Sequence, residues 1–255
     1  MKTARILPVA LLEKKSSTYH LVLSYLAQKN PEYRQFYCQR AQAGDFVILD
    51  NSAHELGSSG DWRELISLAE EMEVSEVVLP DRLFFGDDTY NQSREAIKGL
   101  RFHSLETRTM GVPQGRTPQE FSKCLSKLLD LGIDTVGISK DFEVWPGGIR
   151  ALVEEVCTED DDVQVHLLGW GRDLKQLYLI GSCPWLKHRI RGVDSAKPAV
   201  FAAAGISLPS SPWASPPVYP TRQKNFFDLK DVDEELLSRN LSIFQAWAKG
   251  EVPNV

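Results

Sequence analysis

The chain has 255 residues, of which 42% are hydrophobic and 25% charged, and its formal net charge is -6. These values are typical of a globular protein large enough for one α/β domain, and the acidic balance argues against a protein that coats nucleic acid over its whole surface. No run of about 18 apolar residues occurs, so we predict no membrane span. The first residues lack a small-residue cleavage site, so we expect no signal peptide and a cytoplasmic location.

Seven short apolar segments alternate with amphipathic stretches of about ten to fifteen residues. The predicted strands, in chain order, are ARILPVA (4–10), DFVILD (45–50), EVVLPD (76–81), TRTMGVPQG (107–115), DTVGISK (134–140), VQVHLLGW (163–170) and IRGVDS (190–195). Predicted helices cover 61–72, 117–132 and 172–181, and Thr117 and Glu120 form a capping box at the start of the second. With an eighth strand expected in irregular sequence, the alternation predicts an α/β fold of the (β/α)8 TIM-barrel type, irregular at its last strand.

The C-terminal fifth of the chain differs in composition. Segment 207–223 contains five prolines, which exclude a regular helix or a central strand, so we expect a long loop. Segment 231–250 returns to helical spacing, with an apolar face made of Leu236, Leu237, Leu241, Phe244 and Trp247. We therefore predict a barrel over 1–206, and a proline-rich loop and C-terminal helix packing on it over 207–255, in a single domain.

The cysteines and histidines do not indicate a metal site. The four cysteines include no CxxC pair, and the five histidines form no HxH or HExxH arrangement, which are the spacings that zinc centres use. We expect reduced, structural cysteines and neither a metal nor another cofactor.

Positive charge is concentrated in one stretch, although the whole chain is acidic. The basic residues between positions 172 and 197 are Arg172, Lys175, Lys187, Arg189, Arg191 and Lys197, against two aspartates. Such a stretch predicts a face that binds phosphates, and the alternative is an ordinary solvated surface.

Polar residues follow the predicted strands at their carboxyl ends, where (β/α)8 barrels place their chemistry. They are Asp50, Asn51, Ser52, Asp81, Gln114, Gly115, Arg116, Lys140, Gly169, Trp170, Gly171, Asp194 and Ser195. An aspartate at a strand end is often only a helix N-cap, and Asp194 before SAKPAVFAAAG has this alternative. We nevertheless expect the carboxylates to meet in one hollow.

Two carboxylates in a sheltered cleft can divide their work, one attacking an anomeric carbon and the other assisting departure of the leaving group. This pattern favours glycosyl transfer. Gln114 and the backbone at Gly169 and Gly171 suit recognition of a planar ring, on which Trp170 or Phe84 would stack. For Trp170, packing at the barrel rim is the alternative.

The strand-end segments resemble, in sequence and order, the signature segments of the tRNA-guanine transglycosylase superfamily, particularly its DNA 7-deazaguanine (DpdA-like) branch. These segments are LDNSAHELG, VVLPD, GVPQGR, VGISK, HLLGWG and VDSAKP, within residues 45–200. The resemblance implies a (β/α)8 enzyme, a pentosyltransferase that exchanges guanine for a 7-deazaguanine through a covalent enzyme–nucleoside intermediate.

The resemblance also implies roles for individual residues. Asp194 matches the nucleophile that attacks C1′, and Asp50 the general acid/base near the sugar. Asp81 matches the residue that reads the Watson–Crick edge of the base, and Gln114 the glutamine at its carbonyl. The other residues assigned to the substrate pocket are Asn51, Ser52, Gly115, Gly137, Gly169, Trp170 and Gly171.

Two departures from the family pattern bear on the substrate. His54 and Glu55 replace a Phe-Gln pair beside the sugar, and the cysteines of the family's zinc motif are missing, with the proline-rich segment in their place. Since that zinc region helps to hold RNA, we favour DNA as the partner and expect phosphate contacts from basic side chains. These are Arg116, Arg172, Lys175, Arg189, Arg191, Lys197 and Arg222.

Three alternatives stay open at this stage. In the first, the acceptor is tRNA rather than DNA. In the second, the enzyme acts on a free nucleoside or sugar, as in glycosidase-type chemistry. In the third, the chain is a non-catalytic subunit that relies on a partner for the chemistry. Members of the family often form homodimers, but the sequence does not decide the oligomeric state.

Overall fold

The computed structural model describes residues 1–15, 17–160, 162–170, 174–215, 217, 218, 220 and 225–253. Its eight strands are β1 Lys2–Arg5, β2 Tyr19–Leu23, β3 Phe46–Asp50, β4 Glu76–Val78, β5 Arg108–Gly111, β6 Thr135–Ser139, β7 Gln164–Leu168 and β8 Ile190–Ser195. These parallel strands form one sheet in the order β1-β8-β7-β6-β5-β4-β3-β2 and alternate with helices. The fold class is therefore the predicted (β/α)8 TIM type.

The described helices follow the same alternation. They are α1 Leu12–Lys15, α2 Ser24–Lys29, α3 Pro31–Gln42, α4 Ala53–Leu56, α5 Trp62–Met72, α6 Gly86–Phe102, α7 Pro118–Leu129, α8 Gly148–Glu159, α9 Leu174–Ser182, α10 Pro184–Arg189, α11 Lys197–Ala203 and α12 Glu234–Lys249. Short 3-10 turns cover Val9–Leu11, Lys140–Phe142 and Phe226–Asp228. Within the described residues, no helix is both long and apolar enough to cross a membrane.

Contacts within the chain define two compact units. The central unit, Thr18–His166, carries β2 to β6, and the terminal unit combines Met1–Ser17 with Leu167–Val255 and carries β1 and β8. The predicted boundary between a barrel over 1–206 and a C-terminal segment over 207–255 stays a prediction.

The strand that the sequence pattern did not reveal is β2, in the segment TYHLVL. The last strand, β8, was predicted to be irregular but is regular. All five residues of β2 are buried, so no alternation of apolar and polar residues marks it. β8 pairs with β1 from Gly192 to Ser195. The first strand is shorter than predicted, because it ends at Arg5 and a 3-10 turn follows Pro8.

The helices α5 and α7 form where the amphipathic pattern predicts them. Asp61 caps α5 by accepting a hydrogen bond from the Arg63 amide, and Thr117 Oγ1 caps α7 by accepting one from the Glu120 amide at 3.2 Å. The Glu120 carboxylate does not return to Thr117 as in a complete capping box, because it accepts the amide of Arg116 at 2.8 Å instead.

The C-terminal helix α12 packs against α9, α11 and β1 of the terminal unit. Leu237, Leu241, Phe244 and Trp247 are buried as predicted, whereas Leu236 is only half-buried. A buried asparagine, Asn240, adds a polar tie that the apolar pattern does not show. Its side chain accepts the Leu208 amide and donates to the carbonyls of Pro198 and Ile206. The described residues of 207–223 form no helix or strand, as predicted.

Candidate functional site

Three buried polar side chains meet in the central unit, beyond the carboxyl ends of β3, β4 and β5. Asn51 Nδ2 donates to Asp81 Oδ1 at 2.7 Å, and Gln114 Nε2 donates to Asp81 Oδ2 at 2.5 Å. Each carboxylate oxygen of Asp81 therefore faces one amide. We call this group the amide–carboxylate cluster; none of its members is more than 4% exposed.

Local backbone geometry fixes the Asn51 side of this cluster. The Asn51 side chain donates to the Leu79 carbonyl at 2.7 Å and accepts the Ala53 amide at 2.8 Å, in addition to its bond with Asp81. Both amide hydrogens and the amide oxygen of Asn51 are thus occupied within the protein. Asn51 positions the Asp81 carboxylate rather than presenting free groups to a ligand.

The sharp turn after β3 depends on Asp50 and Ser52. Ser52 has a left-handed backbone with φ of 61°, and its amide donates to Asp50 Oδ2 at 2.8 Å, which holds the turn. The Ser52 hydroxyl is buried and bonds to Ser24 Oγ at 3.0 Å. Asp50, the last residue of β3, is half-buried, and Ser52 is buried in the turn.

Gly115 and Gly137 were both assigned to the substrate pocket, and the structure gives a packing reason for Gly115. A Cβ at Gly115 would lie 2.5 Å from the Phe121 amide nitrogen, so only glycine allows the approach to α7. Gly137 is buried in the middle of β6 rather than at its carboxyl end.

Burial raises the pKa of Asp81 to about 6, although the hydrogen bonds from Asn51 and Gln114 act in the opposite direction by stabilising the ionised form. The carboxylate is therefore ionised at neutral pH and becomes protonated under mildly acidic conditions. An ionised, buried carboxylate with two amide donors is a strong acceptor for N–H groups of a ligand.

This raised pKa predicts a pH dependence of stability. Well below about pH 4, Asp81 is protonated in both the folded and the unfolded chain. Between pH 4 and 6 the unfolded chain ionises first, so the free energy of unfolding falls by about 3 kcal/mol as pH rises through the folded pKa. Urea unfolding of wild type and Asp81→Asn at several pH values tests this. The difference between the two proteins should change over this window, and a constant difference would contradict the raised pKa.

The terminal unit contains the proposed nucleophile. Asp194 is 2% exposed at the end of β8, and the Gly169 amide donates to its Oδ1 at 3.1 Å and to its Oδ2 at 3.0 Å. The Trp170 amide donates to the Asp194 carbonyl at 3.0 Å. The turn after β7, in which Gly169 has φ of 63°, therefore holds both the backbone and the carboxylate of Asp194.

Asp194 is not an N-cap, which was the alternative reading of its position. The N-cap of α11 is Ala196, without a side-chain hydrogen bond, and the Lys197 amide is bonded instead by Ser195 Oγ at 3.0 Å. The carboxylate of Asp194 faces the Gly169 amide and is not used to start the following helix.

Trp170 is fully buried. Its burial agrees with the alternative that it packs at the barrel rim, and not with a role in stacking on a ligand ring. Its neighbours Gly171 and Arg172 lie outside the described residues, as does Arg222.

The predicted basic patch is corrected in two respects. Lys197 is buried, with its ammonium 5.4 Å from the Phe201 ring centroid, so it does not belong to an exposed surface. Arg189 is the last residue of α10 and Arg191 lies near the amino end of β8. Asp194 lies near the carboxyl end of β8, about 10 Å from Arg191 along the strand. Lys175 is exposed on α9, 4.8 Å from the Trp213 ring centroid. The basic residues of this stretch therefore do not all belong to one exposed face, because Lys197 is buried.

Arg82 and Phe85, which follow Asp81 in the chain, were not among the predicted site residues. The signal was present in DRLFFG, where two aromatic residues and an arginine directly follow a strand-end aspartate. Cys38, Cys124, Cys157 and Cys183 all lie in the described part of the chain, and no disulfide joins any two of them. Among the described residues, no group of three or more His, Cys, Asp or Glu side chains is placed to hold a metal ion.

Comparison with known proteins supports the fold and does not assign a family. No family model and no curated protein matches the sequence. Among solved structures, the carboxyl transferase domain of Rhizobium etli pyruvate carboxylase is similar, with a TM-score of 0.54 and 8% identity over 100% of this chain and 48% of that one. The chain thus spans about half the length of that structure.

Two lyases are similar over most of the chain. N-acetylneuraminate lyase from Mycoplasma synoviae has a TM-score of 0.51 and 15% identity, over 78% of this chain and 69% of that one. 2,3-dimethylmalate lyase, of the PEP mutase/isocitrate lyase superfamily, has a TM-score of 0.51 and 12% identity, over 80% and 78%. All three relatives are enzymes, and at these identities the likeness establishes the (β/α)8 fold alone.

Proposed function

We propose that the protein is a base-exchanging transglycosylase that replaces guanine in DNA by a 7-deazaguanine through a covalent bond between Asp194 and the nucleoside. The observation that supports this most is the buried Asp81 carboxylate between the amides of Asn51 and Gln114. A second support is the order of strand-end segments shared with the transglycosylase superfamily. The enzymes among the solved structures of this fold agree with a catalytic role.

The cluster suits one face of a guanine-like base. Guanine presents two adjacent donors, N1–H and the exocyclic amine, beside the O6 acceptor. In this proposal the Asp81 carboxylate accepts the two donors and the Gln114 amide donates to O6. A 7-deazaguanine has the same edge, so the leaving and the entering base use the same contacts, which an exchange reaction requires.

The chemical steps follow from the carboxylates. An oxygen of Asp194 attacks C1′ and the bond from C1′ to N9 breaks, so the electron pair leaves with guanine, which takes a proton from Asp50. The entering base then attacks C1′ through N9, its N9 proton returns to Asp50, and the bond between C1′ and Asp194 breaks. The Gly169 amide, which bonds both oxygens, orients the Asp194 carboxylate in the resting state.

DNA requires an additional step, because a base inside the duplex is out of reach. The target nucleotide must leave the stack, which costs a few kcal/mol in duplex DNA and less in a single strand. The proposal therefore expects single-stranded or locally opened DNA to be the better acceptor.

The test is an exchange assay with radiolabelled guanine and three acceptors offered separately: guanine-containing DNA, tRNA and free deoxyguanosine. We expect label to enter DNA, and to enter single-stranded DNA faster than duplex. Label in tRNA or in deoxyguanosine alone would assign one of the other acceptors. Purified chain that labels none of the three would contradict the proposed activity.

A further inference from the structure

A short loop that borders the amide–carboxylate cluster exposes two aromatic rings. Residues 82–86, here called the Phe84 loop, follow Asp81 and end at Gly86, the first residue of α6. Phe84 is 44% exposed and Phe85 38% exposed. Phe84 also has φ of 67°, a conformation in which a bulky side chain is strained. Strained backbone conformations are found preferentially at ligand-binding and active sites.

Hydrogen bonds hold this loop in one shape. The Phe85 amide donates to the Arg82 carbonyl at 2.9 Å, and Thr89 Oγ1 bonds both the amide and the carbonyl of Arg82. The Phe84 amide donates to Gln114 Oε1 at 3.0 Å. Because a Cβ at Gly86 would lie 2.6 Å from the Gln114 carbonyl, the loop packs directly on the strand end that carries Gln114.

Two guanidinium groups lie over the Phe85 ring. Arg82 is 4.3 Å and Arg116 4.4 Å from the ring centroid. Arg82 also pairs with Asp88 at 2.5 Å. In the described part of the chain Arg116 has no ion pair, since the Glu120 carboxylate accepts its amide and not its guanidinium. Arg116 is therefore a surface cation held over an aromatic ring and open to an anion.

Three carboxylates lie beside the loop: Asp88 pairs with Arg82, Asp87 pairs with two lysines, and Glu120 accepts the backbone amide of Arg116. Asp87 pairs with Lys127 at 2.8 Å and with Lys123 at 3.6 Å. An open cleft of about 300 Å³ lies between these groups; its lining includes Phe84, Phe85, Arg116 and Cys124. Apolar rings beside an uncompensated cation match a ligand that has a flat apolar face and a negative charge.

We propose that the Phe84 loop and Arg116 form a stacking subsite for a nucleotide of single-stranded DNA that neighbours the exchanged base. This inference rests on the proposed function for the identity of the ligand. A base stacks on the Phe84 ring, and its phosphate contacts the Arg116 guanidinium. Gln114 links the subsite to base recognition, because its amide oxygen binds Phe84 and its amide nitrogen binds Asp81.

The test is equilibrium binding of a fluorescein-labelled single-stranded DNA oligonucleotide, measured by anisotropy at several salt concentrations. Phe84→Leu keeps an apolar side chain and the backbone strain but removes the aromatic face. We expect it to weaken binding by about tenfold at every salt concentration and to leave the salt dependence unchanged. Phe84→Tyr should bind as the wild type does.

The second variant, Arg116→Gln, tests the phosphate contact. We expect the slope of log affinity against log salt to become shallower by about 0.7, as for the loss of one phosphate contact on a single strand. Matched controls are Phe102→Leu, an exposed ring at the other end of α6, and Arg63→Gln, a guanidinium that lies over Trp62. Circular dichroism and thermal melting establish that each variant is folded.

Several results would overturn the subsite: unchanged binding in Phe84→Leu, an unchanged salt slope in Arg116→Gln, or equal losses in the controls. An effect seen with an RNA oligonucleotide of the same sequence but not with DNA would also overturn it. Base exchange is measured separately. Exchange that persists while the two variants bind normally removes only the subsite. Variant-sensitive binding without any exchange removes the proposed function and supports the subsite.

Discussion

Replacement of Asp194 by asparagine is expected to reduce base exchange by at least about a thousandfold and to leave the protein folded. The asparagine amide cannot form the bond to C1′, so only catalysis from binding remains. Its oxygen can still accept the Gly169 amide that now bonds the carboxylate, which preserves the turn after β7. The measurement is the rate of incorporation of labelled guanine into DNA, together with the recovery of a denaturation-resistant protein–DNA adduct.

The matched control is Asp231→Asn, an exposed carboxylate in the terminal unit. It should exchange guanine at the wild-type rate. If Asp194→Asn is folded and retains more than a few per cent of the activity, Asp194 is not the nucleophile. Loss of the adduct without loss of exchange would lead to the same conclusion.

Replacement of Asp81 by asparagine is expected to weaken binding of a 7-cyano-7-deazaguanine base by about a hundredfold or more. A neutral amide accepts one donor where the carboxylate accepts two, and its own N–H₂ faces the amide of Gln114 or of Asn51. Sites built to bond a polar partner discriminate strongly against a mismatch, because buried groups are then left unpaired. Calorimetric titration at pH 7 measures the affinity.

The pH dependence of base affinity provides a second test of the role of Asp81. In the wild type, affinity should fall about tenfold per pH unit below pH 6, because protonation of Asp81 removes the acceptor that the base needs. Asp81→Asn should show no such dependence. Asp130→Asn, an exposed carboxylate at the end of α7, is the control and should titrate as the wild type. Wild-type affinity that is constant from pH 5 to pH 7 would exclude Asp81 from base recognition.

The sequence predicts the fold and the cluster well, because both depend on local order along the chain. Each strand and the polar residues at its end can be recognised from a short stretch of sequence. The parallel arrangement then places the ends of consecutive strands side by side. This is why Asn51, Asp81 and Gln114, which lie about thirty residues apart, are found together. Strand β2 escaped prediction because every residue in it is buried, so it lacks alternation, and because α2 begins at the very next residue, Ser24.

Side-chain exposure and backbone strain could not be predicted from the sequence in the same way. Lys197 counts as a surface charge in the sequence, yet it is buried beside Phe201. Arg191 and Asp194 are only three residues apart in sequence, but they lie near opposite ends of β8. The positive φ of Phe84 has no signature in the residue type, because glycine or asparagine is the usual choice there. Such features follow from tertiary contacts that no short segment contains.

The hydrogen bonds of Asn51 bear on how the cluster would bind a planar ring. With its oxygen and both hydrogens already engaged, Asn51 keeps Asp81 aimed in one direction before any ligand arrives. The acceptor is therefore preorganised, and little reorganisation of the protein accompanies docking. Selection among planar ligands then depends on the pattern of their edges more than on an induced closure around them.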